Sequence, residues 1–140
     1  MMTSPALCTL LYFTALTGLL AFAYANYRVV LVLTGKAAAN SWTRGSPTWT
    51  DPAIVTRLHH AHLNCVENLP VYAALVLVAY ATNQLAIIDG LACVFLGLRV
   101  GQTLVHTISA SASAVFIRGN LWIAQCLILG YWVLKLCGTL

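Results

Sequence analysis

Charge is what this sequence has least of. Its 140 residues include only three acids and seven bases. That is 7% charged side chains, where a soluble domain carries roughly 25% to keep its surface wet. A soluble globule is therefore excluded, and lipid must cover most of the chain. The bases are scattered, without a run and without interleaved aromatics, so nucleic-acid binding has no support. Cysteine pairs are missing too. Cys8, Cys65, Cys93, Cys126 and Cys137 form no C-x-x-C and mostly fall inside apolar runs, so they read as small packing residues rather than a disulfide or redox set. The H-E-x-x-H spacing is absent. His59 and His62 lie three apart, His60 points elsewhere, and no second cluster adds a carboxylate, so no metal site is expected.

What is present is apolar length. Hydrophobic residues make up 61% of the chain and the mean hydropathy is +0.86. At one span per ~20 apolar residues there is room for four or five spans. Spans are expected at about 5–33, 60–81, 85–114 and 121–138, giving an all-α integral membrane four-helix bundle of one domain. The first could be a signal peptide, with Ala21-Phe22-Ala23 as a cleavage site. It lacks a basic n-region, and the apolar run continues through Val29 to Leu33, so a retained helix is the better reading. Residues 34–56 are the one long polar connection, broken by Gly35, Gly45, Pro47 and Pro52. Asp51-Pro52 reads as an N-cap followed by proline at the first helical position. Pro70 should kink the second helix or mark its entry into hydrocarbon. Phe116 to Asn120, with Gly119, reads as the turn before the last span.

The bases set the orientation. Lys36, Arg44, Arg57 and Arg118 lie in or beside the first and third connections, the second connection and the N-terminal tail have none, and Lys135 is the exception. The positive-inside rule then places the Arg57–Glu67 end in the cytoplasm and both termini opposite.

Two polar stripes run through these spans. At 100° per residue, Arg57, His60, Asn64 and Glu67 share one face about 80° wide. On the third helix Arg99, Gln102, Thr103, His106, Ser109 and Ser113 form another. Charges at membrane depth face a bundle interior or a wet cavity and pair there, so the stripes should face each other, with Glu67 partnering Arg99. That pair could be a fold-holding ion pair with no chemistry. Arg57, His60, Asn64, His106 and Arg118 exceed what helix packing needs, and would line a pocket at the cytoplasmic interface. Two arginines there are fit to hold carboxylates.

Asp51-Pro52, then Arg57-x-x-His60-Ala61-His62-x-Asn64-x-x-Glu67-Asn68-x-Pro70, then Arg99-Val100 with His106-Thr107, then Arg118, resembles the MAPEG family, the membrane-associated proteins in eicosanoid and glutathione metabolism. The Ala-His-x-Asn-x-x-Glu-Asn-x-Pro segment is closest to bacterial members. The resemblance implies a homotrimer with glutathione bound between subunits near the cytoplasmic side. It also implies a transferase, peroxidase or isomerase acting on a lipophilic small molecule, although some members only bind lipid or partner proteins. Carried over, Asn64 and Glu67 match the glutathione-contacting pair of the second helix, and Arg99 matches the third-helix arginine. Arg118 matches the arginine that stabilises the thiolate, and Arg28 matches one that holds a glutathione carboxylate. Arg28, Arg57, His60, Asn64, Glu67 and His106 would then bind the cofactor, with Arg118 catalytic. Three positions depart from the family's pattern. His60 stands where many members have arginine, His106 or Ala110 where they often have tyrosine, and Gly119 where one branch has serine. A non-catalytic lipid-binding or scaffold protein is the alternative. A channel would need the stripes to reach the far face, and the last span is apolar there.

Overall fold

The structure is a computed structural model that describes residues 4–140. The N-terminal tail used above for orientation lies largely outside the described residues. Four helices follow one another: α1 (Pro5–Leu33), α2 (Ala53–Ala81), α3 (Leu85–Ile108) and α4 (Ala112–Leu136). Each is long and apolar enough to cross a membrane. At 1.5 Å per residue they span about 36–44 Å, so their ends reach past the ~30 Å hydrocarbon layer. Large apolar side chains such as Leu33, Phe116 and Leu127 stand exposed on the outside, as expected of a bundle covered by lipid rather than water.

Each helix supplies one aromatic ring to the centre. Phe13 of α1, Tyr72 of α2, Phe95 of α3 and Trp132 of α4 are fully buried. Tyr72 stacks on Phe95 at 4.5 Å between centroids and on Trp132 at 5.7 Å. Tyr72 keeps its hydroxyl satisfied by a 2.6 Å hydrogen bond with Thr9. A buried aromatic cluster of this kind gains about 0.5–1.5 kcal/mol per ring pair beyond its burial. It also makes α4 part of the bundle although α4 packs mainly on α3.

The N-terminus of α1 is capped from another helix. Pro5 at the first position needs no N–H partner. Ser4 Oγ and the Ala6 amide both donate to Asp89 Oδ1 of α3, at 2.6 and 2.9 Å, where a carboxylate also meets the positive end of the helix dipole. Asp89→Ala is therefore expected to cost about 1–2 kcal/mol in unfolding free energy. Asp89→Asn, which keeps one acceptor, should recover most of it in a detergent unfolding titration.

Two boundaries differ from the expected ones. First, α2 is capped by Pro52 and not by Asp51. The Asp51 carboxylate is engaged elsewhere, accepting from Arg28 Nε and Nη2 at 3.0 and 2.6 Å and from Trp42 Nε1 at 2.8 Å. Pro70 lies inside α2, which continues through it to Ala81, since surrounding helices can accommodate the carbonyl that proline leaves without a donor. Second, α3 ends at Ile108 and not near residue 114. Ser111 starts α4, its hydroxyl accepting from the Ala114 amide at 3.2 Å. The Phe116–Asn120 stretch is therefore helix rather than turn, and Ser109 and Ser113 do not extend the polar face of α3.

Candidate functional site

Between α2, α3 and α4 lies a cleft of about 410 Å³ lined by Asn64, Glu67, Gln102, Val115, Arg118, Gly119 and Trp122. It exists because α4 leans on α3 and diverges from α2. Three residues picked from sequence, Asn64, Glu67 and Arg118, meet there. Arg118 sits two turns into α4, half-buried, and Glu67 is exposed on the face of α2. Neither is salt-bridged among the described residues, where the one ion pair is Arg28–Asp51.

The floor and upper wall are held by hydrogen bonds. Gln102 is nearly buried and its Oε1 accepts from Gln125 Nε2 at 3.0 Å, which leaves its own amide N–H groups for the cleft. Asn64 Nδ2 lies 3.0 Å from His106 Nδ1. An amide nitrogen can only donate, so His106 Nδ1 accepts and the ring proton sits on Nε2. The His60 ring lies 6.3 Å from that of His106, and Arg57 Nε donates to the Thr107 carbonyl at 2.7 Å. Arg57, His60 and His106 thus form a polar tier beside the cleft, and Arg57 ties α2 to the last turn of α3. His59 and His62 face α1 instead, their rings 4.7 and 5.5 Å from that of Tyr24, with His62 Nδ1 donating to the Thr17 carbonyl at 3.1 Å. Among the described residues no three His, Cys, Asp or Glu side chains are grouped to hold a metal.

Two expected placements fail. Glu67 and Arg99 make no ion pair. Arg99 points into the bundle, 1% exposed, with its guanidinium 5.3 Å from the Phe13 ring centroid, and its Nε and Nη2 have no hydrogen-bond partner. Glu67 opens onto the cleft instead, because sharing an angular stripe does not decide which neighbour each residue meets. Arg28 does not reach the cleft either. It is bound to Asp51 and lies over the Tyr24 and Trp42 rings.

Gln102 and Trp122 line the cleft in addition to the residues expected there. Gln102 was visible on the α3 stripe. Val115, Arg118, Gly119 and Trp122 follow the i, i+3, i+4, i+7 spacing of one helix face, a signal hidden by reading a turn across them.

The MAPEG family model matches residues 4–137, nearly the whole chain. The chain belongs to the MAPEG family. It is thereby a membrane protein of the eicosanoid and glutathione metabolism group, whose members generally use glutathione. No match was found among curated proteins or among solved structures. In this MAPEG chain the motif residues Asn64 and Glu67 of α2 and Arg118 of α4 border the same concavity.

Proposed function

We propose that this cleft binds glutathione and that the protein is a glutathione-dependent membrane enzyme of transferase, peroxidase or isomerase type, acting on a lipophilic electrophile or hydroperoxide. The observation that carries the reading is the meeting of Asn64, Glu67, Gln102 and Arg118 around one space of about 410 Å³, within the usual range for small-ligand sites. The donor set fits the ligand's chemistry. Glutathione has two carboxylates, one ammonium and one thiol. Glu67 is the acceptor for an ammonium, while Asn64, Gln102 and Arg118 donate to anionic groups. When bound, glutathione supplies a thiol nucleophile. Arg118 places a fixed positive charge where a sulfur anion would be held, the means by which a thiol of ordinary pKa about 8.5 becomes reactive at neutral pH.

Glu67 is an exposed carboxylate on a membrane-spanning helix, a costly position unless something pairs with it. A ligand ammonium or a neighbouring subunit would meet that need, which favours the homotrimer with sites between protomers. Arg28 is committed to Asp51 in its own chain and stays outside this cleft. By the positive-inside rule the polar tier of Arg57, His60 and His106 faces the cytoplasm and the termini lie opposite.

Thermal unfolding in glutathione tests the binding. At a hundredfold excess over Kd, wild type should gain about 2.7 kcal/mol, and Glu67→Gln or Asn64→Ala should lose most of that protection. A folded wild type that does not respond would sink the reading in favour of a lipid-binding or scaffold protein. Gly119, which brings no hydroxyl beside Arg118, is the observation on that side.

A further inference from the structure

The connection between α1 and α2, residues 34–52, builds a second concavity outside the cleft. It is a bowl of about 400 Å³ whose lining includes Arg28, Trp42, Arg44, Trp49, Asp51 and His59. Its wall is rigid. Asp51 takes two N–H groups of Arg28 on Oδ2 and the Trp42 indole N–H on Oδ1. The Arg28 guanidinium lies 5.4 Å from the Trp42 ring centroid, and Trp42 packs against Trp49 at 6.3 Å.

The charges do not balance. The chain has three acids. Asp51 is used by Arg28, Asp89 caps α1 at the opposite end of the bundle, and Glu67 opens onto the other cleft. Arg44 is exposed in the bowl with no carboxylate in salt-bridge reach among the described residues. A net positive bowl remains that no acid of this chain neutralises.

Depth decides what can neutralise it. Ser4 marks the far end of α1, and Arg28 follows 24 residues later, a rise of about 36 Å at 1.5 Å per residue. That exceeds the ~30 Å of hydrocarbon and falls within the headgroup layer. Trp42, Trp49 and Tyr24 cluster at this level, where amphipathic rings collect at a membrane–water interface.

We propose that the bowl binds the phosphate of an anionic phospholipid headgroup, with Arg44 as its principal cation and the Arg28–Asp51–Trp42 assembly as its fixed wall. The guanidinium fork suits phosphate oxygens. Inorganic phosphate shares that chemistry, but lipid is held at this depth by the bilayer itself. The inference does not depend on glutathione binding in the cleft.

The test compares the full chain in nanodiscs of phosphatidylcholine with and without phosphatidylglycerol, scored by native mass spectrometry for retained lipid. Wild type should retain phosphatidylglycerol in preference to phosphatidylcholine. Arg44→Ala should weaken that retention about fivefold, the worth of one basic residue at an anionic surface. Lys36→Ala removes a base from the same connection but not from the bowl, and should change it little. Equal losses in the two variants would mean diffuse attraction and overturn the site. So would no preference for phosphatidylglycerol, or full displacement of the lipid by inorganic phosphate. A bowl shielded by a second copy of the chain, seen as an Arg44→Cys thiol that labels only after the oligomer is dissociated in a chain whose five native cysteines are replaced by alanine, would overturn it as well.

Discussion

Replacing Arg118 with alanine is expected to lower kcat/KM for conjugating glutathione to a chlorodinitrobenzene-type electrophile by about 10²–10³-fold, the usual cost of losing one preorganised charge stabiliser. Arg118 is half-buried and lines the cleft without a carboxylate in salt-bridge reach among the described residues. Its charge is therefore available to a ligand. Removing it takes away the group that favours the sulfur anion, so the thiol of the bound peptide returns toward 8.5 and activity moves to higher pH. The acid limb of the pH–rate profile, where the thiol loses its proton, should move to higher pH, and Arg118→Lys, which keeps the charge but not the planar fork, should fall between the two. Unchanged rates with an unmoved profile would remove Arg118 from the chemistry. An equal loss at every pH would make it a binding or structural residue.

How far the sequence carried depends on the kind of residue. Apolar length alone predicts four spans and the bounds of α1, because hydrocarbon leaves a chain no alternative to internally bonded helix. The same physics explains the error at the last connection. Gly119-Asn120 looks like a breaker, yet among lipid a glycine does not end a helix whose backbone has nowhere else to bond. The real stop is the pair Ser109 and Ser111, whose side chains hydrogen-bond each other at 3.2 Å and of which Ser111 caps α4. Asn64, Glu67 and Arg118 could be picked because polar groups are so scarce here that each needs a reason. Their partners could not be. The bond from Arg28 to Asp51 crosses 23 residues, and nothing local distinguishes it from an Asp-Pro cap. Gln102 pairs with Gln125 over the same separation, and only the packing of α4 on α3 brings them together.

Arg99 gives the sharpest separation between the expected and the observed structure. If it were Glu67's ion-pair partner, truncating either residue would leave the other charge buried and alone, a loss of about 3–5 kcal/mol. In the structure Arg99 has no acceptor for Nε or Nη2, and the Phe13 ring at 5.3 Å offsets its burial by only about 0.5–2 kcal/mol. An arginine at the centre of a membrane helix costs about 2.5–3.5 kcal/mol. Arg99→Met, similar in length and flexible enough to fill the same space, is therefore expected to stabilise the protein by about 1–3 kcal/mol in detergent or bicelle unfolding. Glu67→Gln should leave stability nearly unchanged, since that carboxylate is exposed and bonded to no other side chain among the described residues. The double variant should fall within about 1 kcal/mol of the sum of the two, because the residues share no contact and only a through-space attraction links them. A destabilised Arg99→Met, or a coupling above ~1 kcal/mol in that cycle, would mean that Arg99 and Glu67 do meet in the membrane. The open carboxylate on which the cleft's affinity for an ammonium depends would then be occupied by the protein itself.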